Sequence, residues 1–248
     1  MSARVFIGTA SPNGLMVSGY VQSLVGMTAR LHSAGIGTEY HCIDGPNLPL
    51  QRDILAEGFL RSDCSHMLLV GASASFPPDL CQHLLAADRR LVGTVPPRGA
   101  LDADRLGAAL PGAAFGDAVA LALDWDVRVL GTVEPVVDGF CRVASLGTSF
   151  LLIDRRCFDE LARRVDLPRY QSYAGGMEYR AFFRPVGEPE GSPDHAFARR
   201  WAAAGGEVWA YAAAELSLVF DARYGVPFTA YLEALRATLG QRAGATVA

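Results

Sequence analysis

Arg52, Arg98, Asp194 and His195 are the residues whose type and setting point to chemistry. Arg52 falls in the first turn of an expected helix after the Pro49 loop, and Arg98 follows Pro96-Pro97 at an expected strand end. A guanidinium offers a rigid fork that matches phosphate oxygens; for Arg98 a solvated surface charge is the plainer reading. Asp194-His195 follows Ser192-Pro193 at an expected helix start, where backbone N–H groups and the helix dipole favour an anion. A carboxylate and an imidazole there suit a general base, or simply a cap. Ser73, in Gly71-Ala-Ser-Ala-Ser75 after a strand, stands close to the G-x-S-x-G nucleophile elbow. The fifth position is not Gly and Phe76-Pro77-Pro78 delays the helix, so a small-residue loop that lets a ligand approach the backbone is the preferred reading. Two D-x-D pairs, Asp102/Asp104 and Asp124/Asp126, have the form of a divalent-cation grip. Asp102 is expected to cap a helix beginning near Arg105, and both pairs are expected in solvated turns. His32, His41 and His83 have no partner at metal spacing and read as surface or packing residues.

Composition removes whole classes of activity. All 22 basic residues are arginine, which excludes Schiff-base and pyridoxal-phosphate enzymes and the lysine-bearing P-loop. A net charge of −4 argues against a nucleic-acid partner. The five cysteines, Cys42, Cys64, Cys81, Cys141 and Cys157, form no C-x-x-C pair, so neither a disulfide framework nor a zinc site is expected, and a reducing, cytoplasmic setting fits best. Apolar runs are too short for a membrane span.

The elements that must position these residues follow a repeated strand, loop, helix grammar. Strands are expected at Arg4–Gly8, 38–43, His66–Val70, Leu91–Val95, 141–144, Ser149–Ile153, Glu207–Tyr211 and 215–220. Helices are expected at 17–34, 51–61, 79–87, 156–164 and 194–204. The Ala/Gly/Leu-rich stretch 99–133 reads as a helix plus irregular structure, and 169–191 as a long binding or lid loop. The fold class is α/β: one domain with a mostly parallel, Rossmann-like sheet flanked by helices on both faces.

The order of these pieces resembles a GT-A-type glycosyltransferase, a member of the nucleotide-diphospho-sugar transferases, over most of the chain. Val5-Phe-Ile-Gly-Thr-Ala-Ser-Pro12 is similar to the family's opening strand and nucleotide loop. Gln51-Arg-Asp53, Glu57-Gly-Phe-Leu60 and Ser65-His-Met-Leu-Leu-Val70 resemble its "aRN…a…FL…thLLfiD" stretch, continued by Phe76-Pro-Pro-Asp-Leu80 and Val92-Gly-Thr-Val-Pro-Pro-Arg98. Gly147-Thr-Ser-Phe-Leu-Leu-Ile153 with Arg155-Arg-Cys-Phe158 is similar to "GTGFllirRsvF". Ser192-Pro-Asp-His-Ala-Phe197, Arg199-Arg-Trp201 and Gly205-Gly-Glu-Val-Trp209 resemble "sEDyaFcrRw…GgkvW". The departures fall on the metal site. Gly71 and Ser73 replace the family's D-x-D acids, Leu218 and Val219 stand where a metal-binding His is expected, and Pro193 replaces a Glu beside the retained Asp194.

The resemblance implies a nucleotide-binding half, about 1–98, and an acceptor-binding half, about 99–248, ending in a helix. It implies transfer of a sugar from a nucleotide-diphosphate donor to a hydroxyl of a small molecule or glycan, with no divalent metal and no other cofactor required. Asp194 would be the base, with His195 sharing that task. Thr9, Ala10, Ser11, Arg52, Gly71, Ala72, Ser73, Arg98 and Arg223 would bind the donor. Gly147, Thr148, Ser149, Tyr173 and Phe182 would face the acceptor. A non-catalytic relative that binds a partner or a sugar nucleotide is the alternative, and a serine hydrolase using Ser73 is a third reading. Monomer and homo-oligomer are both compatible with the sequence.

Overall fold

The computed structural model describes residues 3–99, 101–171, 178–185, 192–214, 217–218, 228–229 and 231–236. A seven-stranded sheet is built from β1 (Arg4–Ser11), β2 (Gly37–Asp44), β3 (His66–Gly71), β4 (Leu91–Thr94), β5 (Phe140–Val143), β6 (Phe150–Asp154) and β7 (Val208–Tyr211). Their order across the sheet is β2-β1-β3-β6-β4-β7-β5. All strands run one way except β6, which is antiparallel to both β3 and β4, and β5, antiparallel to β7 at the edge. The mostly parallel sheet is therefore a mixed one. Apolar runs report burial on both faces but not strand direction.

Each central strand sends alternate side chains into two separate cores. Val5, Ile7, Leu68, Val70, Phe150 and Leu152 face one way, with helices α1 (Ser18–Ser33) and α3 (Leu80–Ala86). Phe6, Met67, Leu69, Leu151 and Ile153 face the other, with α2 (Leu48–Arg61), the later α6 (Arg155–Arg164) and α7 (Ala196–Ala203). This period of two is what pleating imposes, and a one-residue slip would exchange both cores at once. Two short helices, α4 (Ala103–Ala109) and α5 (Phe115–Ala122), replace the single helix expected in the middle. As expected, the Asp102 carboxylate accepts from the Asp104 and Arg105 amides and so caps α4.

Helix α2 starts earlier than its apolar pattern indicates. Asn47 caps it by accepting from the Leu50 amide, and Pro49 fits the first turn, where its missing N–H costs nothing. The other end of α2 is tied down by Arg155. Its guanidinium donates to the carbonyls of Phe59 (2.8 Å), Leu60 (3.2 Å), Ser62 (2.9 Å) and Cys64 (2.8 Å), and lies over the Phe59 ring. Helix carbonyls left over at a C-terminus need such donors. The element order thus places Arg52, two turns upstream, relative to β6. The Arg155→Lys variant keeps the charge but loses the fork, and we expect urea unfolding to show a loss of about 2–3 kcal/mol in stability.

Among the described residues no helix is long and apolar enough to cross a membrane.

Candidate functional site

The carboxyl ends of β1 and β3 open into a cleft of about 680 Å³, where an open α/β sheet offers room for a ligand. Ala10, the loop Gly71-Ala72-Ser73 and Ser149 form its floor. The Gly71 amide donates to the Ser149 carbonyl at 2.9 Å, joining the floor's two halves. One end is apolar, lined by Pro12, Leu15, Met16, Val17 and Leu48. The other is charged, lined by Arg52, Arg98, Asp126 and Asp194. Helix α1 begins at the apolar side, and among the described residues no side chain caps its N-terminus.

The charged end joins four distant parts of the chain. Arg52, on α2, donates from Nη1 to Asp194 Oδ1 at 2.6 Å. Asp194 sits in a short 3-10 turn, Pro193–His195, that Ser192 caps through its hydroxyl. Arg98 lies in a two-residue strand, Pro97–Arg98, paired with Asp124–Trp125. Its Nη2 reaches Ser192 Oγ at 2.9 Å and Asp194 Oδ2 at 3.4 Å, while its Nε lies 3.3 Å from Asp126 Oδ1. The Asp194 carboxylate is therefore held between two guanidiniums, and Arg98 is held between two carboxylates.

Asp126 corrects the solvated turn expected for it. It is buried, and its Oδ1 lies 2.8 Å from His195 Nε2, whose other ring nitrogen lies 2.9 Å from Ser145 Oγ. A carboxylate only accepts, so Nε2 donates to it. Gly147 closes over this carboxylate so tightly that a Cβ there would come within 1.8 Å of Asp126 Oδ2. His195 is 4% exposed with both nitrogens engaged, so it fixes Asp126 instead of facing the cleft as a base. It is equally unavailable to Ser73, which lines the cleft. Asp124, by contrast, is exposed, so the pair does not converge on a cation.

The structure brings Ala10, Arg52, Gly71, Ala72, Ser73, Arg98, Ser149 and Asp194 together around one cleft. Thr9 and Ser11 point elsewhere because side chains alternate along β1: the Thr9 hydroxyl bonds to Tyr20, and Ser11 Oγ donates to the Leu15 carbonyl. Thr148 is buried, and Gly147 serves Asp126. Phe182 is fully buried and packs edge-on to Phe158, so it belongs to the core and not to an acceptor surface. Tyr173, Arg223 and Val219 lie outside the described residues; the Leu218 backbone pairs with Ala74, beside the Gly71–Ser73 loop. The sequence placed Asp126 in a solvated turn and gave no site role to Leu48 or to rim residues 13–17. For Asp126 the available signal was its place in a D-x-D pair.

These residues do not fit a divalent cation. Both cleft carboxylates already face guanidiniums, and a further double positive charge would be repelled there. Among the described residues the one convergent metal-type group is Glu39, Asp63 and Cys64, and Arg4 already pairs with both of its acids.

No family model and no curated protein matches the chain. Among solved structures it is similar to A197 from STIV, a viral protein, at 12% identity over 91% of each chain, with a TM-score of 0.49.

Next to Arg52, the fully buried Asp53 points away from the cleft and anchors the segments around it. Its carboxylate accepts from the Phe183 amide at 2.7 Å and from the Tyr170 hydroxyl at 2.8 Å. Tyr170 belongs to a small antiparallel pair, Arg169–Gln171 with Glu178–Arg180, in the stretch read as a loop. Burial pushes the Asp53 carboxyl up to about 7, against those hydrogen bonds and the nearby Arg200 charge, which pull it down. An unfolded Asp releases its proton near pH ~4. The folded state retains that proton longer, so this group's contribution is full below pH ~4 and is lost as pH rises through about 7. Urea unfolding should show Asp53→Asn losing this fall and being the more stable protein at pH ~8. A steeper fall in the variant would contradict the assignment. The Gly147→Ala substitution must displace the Asp126 carboxylate, and thermal or urea unfolding should show a loss of about 2–4 kcal/mol.

Proposed function

We propose that the chain is a glycosyltransferase of GT-A type that moves a sugar from a nucleotide-diphosphate donor to an acceptor hydroxyl without a divalent metal. The observation that carries this reading is Asp194, held in a cleft between Arg52 and Arg98 at the carboxyl ends of β1 and β3. The cleft's two ends match the two chemistries of such a donor. Its apolar rim suits a nucleoside, and its guanidiniums suit phosphate oxygens. The first turn of α1 adds backbone N–H groups at the apolar end, where the nucleoside would lie.

In this mechanism the acceptor oxygen attacks the anomeric carbon of the donor. Its proton passes to Asp194 as the bond from that carbon to the diphosphate oxygen breaks. Charge builds on the leaving diphosphate, and Arg52 and Arg98 stabilise it in the way an oxyanion is stabilised by prearranged donors. Asp126, itself held by His195, holds Arg98 in place. The work of an acid-bound ion falls to side chains of fixed charge. The five cysteines are unpaired thiols, which accords with a reducing compartment such as the cytoplasm.

A panel of nucleotide sugars, assayed in EDTA and with calorimetry for donor binding, tests the reading. Donor binding and turnover are expected without metal. Asp194→Asn is expected to lower turnover by about 100-fold or more while donor binding survives. Binding that requires manganese, or turnover unchanged in Asp194→Asn, would contradict it.

A further inference from the structure

We infer that Asp194 and the donor diphosphate compete for the same two guanidiniums, so that the donor itself releases the base. This rests on the proposed function and adds its regulation. Both acidic groups of the cleft, Asp126 and Asp194, are matched by Arg52 and Arg98, so the cluster is balanced before any ligand arrives. A diphosphate adds at least two negative charges beside Arg52 Nη1 and Arg98 Nε and Nη2, which already face acceptors. The phosphate oxygens and the carboxylates are like charges that repel in a partly buried cleft, and they compete for these donors.

The structure determines which one yields. Asp126 is buried, bonded to His195 and roofed by Gly147, with no space to move into. Asp194 has a side chain 29% exposed and sits on a short turn at the cleft's edge. Its longer contact, 3.4 Å to Arg98, is weaker than the 2.9 Å bond Arg98 makes to Ser192. When phosphate oxygens take Nη1 of Arg52 and Nη2 of Arg98, Asp194 loses both guanidinium partners and becomes free to accept a proton. Before that exchange both carboxylate oxygens are occupied, Oδ1 by Arg52 and Oδ2 by Arg98. The order of events follows: donor first, then a competent base for the acceptor, which keeps an acceptor from meeting an active base in an empty donor site.

Calorimetric titration with inorganic pyrophosphate in EDTA tests the competition directly. Removing the competing carboxylate in Asp194→Asn should tighten pyrophosphate binding by about tenfold, and Asp194→Ser should do the same, whereas Arg52→Gln should weaken it by a similar factor. Thermal unfolding of each variant shows whether it is folded. Pyrophosphate bound by the wild-type protein with affinity unchanged or weakened in both folded Asp194 variants would overturn the exchange and leave the proposed function standing. No binding by the wild type or by either Asp194 variant would overturn both. Binding by the variants alone would support the exchange in its strongest form.

Discussion

Charge balance in one cleft is the constraint on which the rest of this structure depends. Two guanidiniums and two carboxylates from four separate segments neutralise one another at the mouth of the sheet. Isolated ion pairs on a surface contribute little to stability, and breaking a buried pair is costly because one charge is left alone. Here the two situations occur side by side. Asp126 is on the buried side, whereas Asp194 is on the open side, its side chain 29% exposed. The cluster is thus buried where it holds Arg98 through Asp126 and open at Asp194.

The fold supplies this asymmetry by simple means. Strand alternation between two cores sets the sheet, and the sheet sets where β1 and β3 end. The short ribbons of 97–98 with 124–125, and of 127–128 with 145–146, then bring Arg98, Asp126 and Ser145 to the same side as the 3-10 turn of Asp194. Arg155 ties down the far end of α2, the helix that carries Arg52. Gly147 lacks a side chain because the space is taken by a carboxylate, which is a steric demand and not a matter of backbone freedom.

Much of this was legible in the residues. The apolar runs at 66–70 and 149–153 marked central strands, and the setting of Arg52 and Asp194 marked two members of the cleft that lie 142 positions apart and meet at 2.6 Å. What stayed hidden was hidden for physical reasons. The direction of β6 leaves no trace in a run buried on both faces. Asp126 looked like a turn residue because its partners, His195 and Arg98, are remote in sequence, and a buried charge is recognisable only by its partners. Phe182 looked like binding surface because an aromatic in an unpatterned stretch gives no sign of which core receives it. Thr9 and Ser11 looked like ligand contacts because a cluster of turn formers concealed the continuation of β1, whose alternation turns them away.

A crystal structure of the protein soaked with a nucleoside diphosphate and manganese, with data collected at the manganese absorption edge, tests the central claim most directly. If fixed positive charges have replaced an ion, phosphate oxygens will lie within hydrogen-bond distance of Arg52 and Arg98, and no anomalous peak will appear in the cleft. A manganese peak bridging the diphosphate to Asp126 or Asp194, with both arginines displaced, would contradict it.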